Sequence, residues 1–438
     1  MKILLITAEE WNDYVYGNGV LTNWFKGFDA ELAQIYTSPG LPNNSVCHKY
    51  FQIDERQMVR SLFFADKAGH EVVMPSGQSE IEETKNNAQR QGIYGVFKKL
   101  SMWMHTPVVM LQDLIWMAGR YDKVALKKFV DDFNPDIVFC PQLGNPKMWR
   151  LERIVSGMTN APFVAFTGDD EASYQQFSYS LLFWLRRWYC HRGLKSNVHL
   201  FSHYFMHSAE QAHDYTQEYR ILASTLYKCG DFPKTFVEKP VGKPIRLVYA
   251  GRLYCNRWKT LAEIGKALRE INKNGERMVL DIYTQEVLTE EQRKSLCSEN
   301  SVYMKGSVTP SQLKKVYRNA DIALHVESMD KKNKLATRVS FSTKIIDLMA
   351  STCAILAVCW NRHCGYQYLR DNDAAFCVDD YKKILPMLQN IVDKPSLIQE
   401  YARKAYDCGR TNHSREKIQG QIKDKFEELI RENHANER

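Results

Sequence analysis

The chain alternates short apolar or β-branched runs with longer stretches of helical period, and it does so twice. The first set is "KILLIT", "AELAQIYTS", "PDIVFCPQ" and "APFVAFTG", with a helix expected from Leu114 to Val130 before the third run. The second set is "IRLVYAG", "MVLDIYT", "DIALHV" and "AILAVCW", separated by "TLAEIGKALREINKNG", "PSQLKKVYRNA" and "TKIIDLMAS". Strands interrupted by helices of this kind build parallel sheets wrapped on both faces, so two Rossmann-like α/β halves are expected. Between them "GDFPKTFVEKPVGKP" carries three prolines and two glycines in fifteen residues, the composition of a linker. The boundaries fall at 1–235 and 244–410. Residues 411–438 then form a helix, with Ile418, Ile422, Phe426 and Ile430 on one face, expected to pack back on the body.

A length of 438 residues with 44% apolar composition is too much for one ordinary core and enough for two, which makes the cleft between them the default site. The eleven cysteines are odd in number, scattered, and contain no CxxC pair, a pattern of reduced thiols in a cytosol. "MKILLITAEEWNDY" is too short in its apolar run, and too acidic after it, for a secretory signal, and reads as a first strand. The most apolar stretch, "TPVVMLQDLIWMAG", is interrupted by Gln112 and Asp113, so no membrane span is expected. A formal charge of +8 suits a phosphate-bearing ligand, a polyanion or an anionic membrane surface.

Three strand–turn–helix units carry candidate chemistry. In "SFSTKIIDLMAS", Ser340, Ser342, Thr343 and Lys344 precede an apolar helix whose face is Ile345, Leu348 and Met349. A plain N-cap accounts for one hydroxyl, whereas three hydroxyls and a lysine at a helix start suit an anion such as phosphate. In "LVYAGRLYCNRWKTLAEIGKAL", Arg252, Arg257 and Lys259 follow a strand end, where parallel sheets present ligand crevices and where cations would neutralise a diphosphate. In "ITAEEWNDYVYGNGVLTNWF", Gly17 and Gly19 lie between the first strand and a helix and would let backbone N–H groups approach a ligand. This is neither a GxGxxG fingerprint nor a P-loop, which removes support for dinucleotide redox chemistry and P-loop hydrolysis.

Together these stretches, with "YMKGSVTPSQLKKVYRNADIAL", resemble the group 1 glycosyltransferases of the GT-B type, in particular the bacterial enzymes of surface-polysaccharide biosynthesis. The resemblance spans nearly the whole chain, and its specific parts are that stretch and "STKIIDLMAS". It implies two Rossmann-like domains facing across a cleft, and a nucleotide-sugar whose pyrophosphate sits on the cradle described above. It also implies transfer with retention; the cations and hydroxyls of the cradle would serve the diphosphate without a metal, and no further cofactor is expected. In that family an acidic residue in the donor helix binds the ribose hydroxyls, which maps onto Asp347; a glutamate eight residues earlier contacts the sugar, and Val339 stands there instead. Glu327 and Arg338 are the candidates to serve in its place. Arg257 and Lys259 would stabilise charge on the leaving diphosphate. "FTGDDEAS" offers Asp169 as the candidate base or acceptor-orienting group.

Two further stretches bear on partners. His199, His203 and His207 are four apart, but in a strand-like aromatic segment they would lie too far apart for one ion, and no metal site is expected. Residues 177–197 carry Arg186, Arg187, Arg192 and Lys195, six aromatics and no acid; on a helix Leu181, Trp184, Leu185 and Trp188 form an apolar face flanked by cations. "VFKKLSMWMH" has the same character. The expected protein is thus a cytoplasmic glycosyltransferase at the inner face of a membrane, taking a nucleotide-sugar donor and a glycan or lipid-linked acceptor. The competing expectations are a nucleotide-sugar epimerase of the same fold and a non-catalytic nucleotide- or glycan-binding protein. Nucleic acid is not an expected partner, because the basic and aromatic residues fall in one helix rather than in a nucleic-acid-binding module.

Overall fold

The strand-like runs become the interior strands of two sheets. The computed structural model describes residues 1–14, 19–73, 109–141, 145–297 and 300–436, so Gly17 and "VFKKLSMWMH" lie outside the described residues. The first half contains β1 (Lys2–Thr7), β2 (Glu31–Tyr36), β3 (Lys49–Gln52), β4 (His70–Val72), β5 (Ile137–Pro141), β6 (Phe163–Thr167), β7 (His203–Met206) and β8 (Ala223–Thr225). They are ordered β4-β3-β2-β1-β5-β6-β7-β8, all parallel except the antiparallel edge pair β3–β4. The second half contains β9 (Ile245–Ala250), β10 (Met278–Tyr283), β11 (Val302–Gly306), β12 (Ile322–Val326), β13 (Ala354–Val358) and β14 (Phe376–Val378), ordered β11-β10-β9-β12-β13-β14. Strand order therefore reverses between β1 and β5 and again between β9 and β12, the points at which open α/β sheets leave a crevice beyond the strand carboxyl ends.

Alternate residues of one strand enter cores on opposite faces, as period-two geometry requires. Leu4 and Ile6 of β1 join one cluster and Ile3 and Leu5 the other; Leu247 of β9 points to one core and Val248 to its counterpart. The helix Arg415–Asn436 returns to the first sheet, burying Ile418, Ile422 and Phe426 among residues that include Trp24 and Phe139. Each such side chain is worth roughly 1.5–3 kcal/mol of burial. Gln419 Nε2 also donates to the Trp24 carbonyl at 2.7 Å.

The helix expected from Leu114 to Val130 is two helices instead: residues 109–118 and Lys123–Phe133. The break has two causes. Gly119 lies so close to Met58 that a Cβ there would sit 2.6 Å from its sulfur, and Asp122 turns its carboxylate onto the N–H groups of Val124 and Ala125 as a new N-cap.

Candidate donor site between the sheets

The carboxyl ends of β9 and β12 bring two charged residues together. Cys255 (φ +54°) and Asn256 (φ +58°) hold left-handed backbone and aim Arg257, the first residue of the helix Arg257–Ile271, back across the crevice. There Arg257 grips Glu327 in a two-pronged bond, Nε to Oε2 at 2.9 Å and the terminal nitrogen to Oε1 at 2.6 Å. Both side chains are nearly buried, at 12% and 4% exposure. Asn256 Nδ2 donates to Asp330 at 3.1 Å and Thr260 Oγ1 to the Glu327 carbonyl at 2.8 Å, which fixes the basic loop to the segment after β12.

Beside this pair lies the polar entrance to the helix Lys344–Ala350. Its hydroxyls are not caps: Thr343 holds helical backbone and makes no side-chain cap bond. Among the described residues, the N–H groups of Phe341, Ser342, Thr343 and Lys344 find no acceptor. Lys344 makes no ion pair among the described residues and lies against Gly251, where a Cβ would come within 2.0 Å of its Nζ. The absence of a side chain at position 251 is thus what admits the ammonium. Burial, followed by the neighbouring Arg257 charge, pushes its pKa down to about 8. A bound anion would favour the charged form, so affinity for a nucleotide diphosphate is expected to be highest below about pH 8 and to fall as pH rises through that value. Calorimetric titrations at several pH values check this, and the decline should vanish in Lys344→Met.

The segment 338–347 also spans the cleft. Ser340 Oγ donates to Asp169 Oδ1 at 2.7 Å, Ser208 Oγ to the Val339 carbonyl at 3.1 Å, and Lys228 Nζ to both Asp347 oxygens at 2.9 and 3.2 Å. Arg338 is ion-paired with Asp214. Val339 is 2% exposed and packed into this contact, an environment that suits an apolar residue and not a carboxylate. Glu327 and Arg338, the candidates to replace a sugar-contacting glutamate, are thus both committed to partners, Arg257 and Asp214. Asp347 is held by Lys228, a residue the sequence did not single out.

Of the remaining candidates, Arg252 is exposed, and its charge adds to the field on Lys344. Lys259 is not brought to the group: it is exposed, with its ammonium over the Trp258 ring at 5.4 Å. Gly19 holds φ +46° before the helix Val20–Phe25, with open space where a Cβ would stand. His203 bonds Ser224 Oγ at 2.8 Å, and His207 packs edge-on to Phe166 with centroids 4.8 Å apart.

Sequence reasoning missed a second polar group, at the carboxyl end of the first sheet. Lys147, at the start of the helix Pro146–Ser156, lies among Glu55, Glu9 and Asp113, and burial lowers its pKa. It makes no ion pair among the described residues. Burial, then the adjacent Glu10, raises the Glu9 pKa. The signal was the acidic pair directly after β1, a position as favoured for ligands as the loop after β9.

This pair of facing sheets, each with its strand-end crevice turned to a common cleft, defines the GT-B fold. No family model and no curated protein matches the chain. Among solved structures, it matches sucrose-phosphate synthase from Thermosynechococcus elongatus at 13% identity and TM-score 0.58, over 98% of this chain and 99% of that one. It matches the UDP-forming α,α-trehalose-phosphate synthase of Burkholderia xenovorans, in complex with glucose-6-phosphate, at 11% identity and TM-score 0.57, over 98% and 100%. Against the GtfA/B complex the TM-score is 0.52 at 13% identity, covering 71% of this chain and 61% of that one. The chain thus spans about three fifths of that neighbour's length and nearly all of the two synthases.

Proposed function

We propose that this protein is a glycosyltransferase that moves a sugar from a nucleotide-sugar donor to a glycan or lipid-linked acceptor, with retention and without a metal. The observation that carries the reading is the Lys344 ammonium, without an ion pair among the described residues, beside four N–H groups that find no acceptor among them, at the strand-order reversal of the second sheet. A diphosphate satisfies all of them, and Ser342 and Thr343 add hydroxyl donors. In the reaction the bond from the anomeric carbon to the diphosphate oxygen breaks, and its electron pair stays on the diphosphate. The acceptor oxygen bonds to the anomeric carbon on the same face, and its proton passes to the departing phosphate oxygen. Lys344 and the free N–H groups stabilise the charge that develops, with Arg252 contributing to the field. Asp169 and the group of Glu9 and Lys147 lie on the opposite wall, where acceptor hydroxyls would be oriented.

A thermal-shift panel of nucleotide diphosphates and nucleotide-sugars tests the donor half, because a ligand bound only by the native state raises the transition temperature by mass action. The UDP-forming activity named for the trehalose-phosphate synthase puts uridine nucleotides first. A shift with one nucleotide family, lost in Lys344→Ala, is the expected result. The absence of any shift on folded protein would overturn the reading. Turnover of a nucleotide-sugar to its epimer without a second substrate would replace transfer by epimerisation.

A further inference from the structure

Two neighbouring helices of the first half turn apolar stripes to solvent. On the helix Leu181–Asn197, Leu181 is 74% exposed, Leu185 51% and Trp188 52%. On residues 109–118, Met110 is 49% exposed, Leu114 61% and Met117 51%, again at the i, i+4, i+7 spacing of one helix face. The Tyr189 hydroxyl lies 3.5 Å from the Met117 sulfur, so the stripes adjoin and form one surface. Isolated exposed leucines are ordinary; two abutting stripes at helical spacing are the mark of a surface that something covers.

The charges decide what that is. The helix Leu181–Asn197 contains no acidic residue. Arg192 lies over the Trp188 ring at 5.8 Å and Lys195 is exposed, while Arg186 faces Asp113 of the neighbouring helix. Arg187, expected among these cations, points inward instead: it is ion-paired with Asp170 at 2.6 Å and donates to the Ser173 carbonyl at 2.6 Å. A second copy docked by the same face would set these cations against their own duplicates. Anionic headgroups complement them, and a tryptophan and a tyrosine beside the leucines suit the boundary between headgroup and acyl chain.

We propose that the paired outward faces of residues 109–118 and Leu181–Asn197 dock this protein on an anionic bilayer. The surface lies outside the donor crevice, so the proposal stands or falls separately from the nucleotide reading. Its geometry also brings the lipid surface near the strand-end group of the first half, since Asp113 on the docking helix shares the surroundings of Lys147. A lipid-linked acceptor held in the bilayer would then present its polar end to that group.

The test is co-sedimentation of the full chain with vesicles of phosphatidylcholine containing phosphatidylglycerol, against pure phosphatidylcholine. Binding should favour the anionic vesicles and weaken as salt is raised. The double variant Leu114→Ser, Leu185→Ser alters exposed residues only and should reduce binding by about tenfold or more. Its melting temperature and far-ultraviolet circular dichroism should match those of the unaltered protein, which confirms that it is folded. Failure of the unaltered protein to bind either vesicle, or equal binding by the double variant, overturns the proposal. So does a concentration-dependent dimer that the double variant abolishes, because the surface would then belong to a second copy.

Discussion

Lys344→Ala is expected to lower kcat/KM by about 10²–10³-fold, the scale on which a single preorganised donor to a developing oxyanion acts. The fold should survive, because the ammonium it removes holds no ion pair among the described residues and its loss uncovers no buried carboxylate. Most of the loss should appear in kcat, since charge on the diphosphate is greater at the transition state than in the bound donor. Gly251→Ala should act through the same atom: the new methyl would displace the Lys344 ammonium, the far end of a flexible chain, rather than strain the sheet. Steady-state kinetics on both variants, with their melting curves, check the argument. A variant that melts normally and turns over normally would dismantle the diphosphate cradle.

Glu327→Ala should instead damage stability. It leaves the Arg257 guanidinium nearly buried without a counter-charge, a change worth roughly 3–5 kcal/mol when a buried ion pair loses one partner. Urea denaturation of the full chain measures it. A nucleotide diphosphate should restore part of the loss, because the released guanidinium then has phosphate oxygens within reach. An absent loss would mean that the buried pair contributes nothing to stability, and a loss that nucleotide does not touch would mean that Arg257 takes no part in holding the donor.

The structure also separates residues that the sequence presented as one basic cluster. Arg257 and Lys259 are two positions apart on a helix, about 200° around its axis, so only one can face the crevice. A helix start at Arg257, set by the left-handed Cys255 and Asn256, was not visible in a stretch whose turn residues are not glycines. The polar entrance at Ser340 to Lys344 could be read because hydroxyls and a lysine before an apolar helix are out of place in a core. Lys228, Ser208 and Asp214, which hold the flanking Asp347, Val339 and Arg338 from across the cleft, are 119 or more residues from the residues they bond and carry no local signal. Among strands, eight of the interior ones stood out as apolar runs because both of their faces are buried, whereas the interior Lys49–Gln52, short and polar at both ends, did not. Edge strands did not: His70–Val72 and Ala223–Thr225 contain no fully buried residue, and Val302–Gly306 is buried only at its first. The expected 114–130 helix failed where Gly119 and Asp122 act on the chain together, a packing constraint followed by a cap.

The return of the helix Arg415–Asn436 to the first sheet has a consequence for biosynthesis. The first sheet is complete in sequence at Thr225, yet Trp24 and Phe139 wait for Ile422 and Phe426 to cover them, about 200 residues later. At translation speeds of roughly 5–20 residues per second, that face stays open for about 10–40 s while the entire second sheet is being made. The earlier-made half is therefore the last to close, and an apolar surface is left in the care of whatever shields nascent chains during that interval.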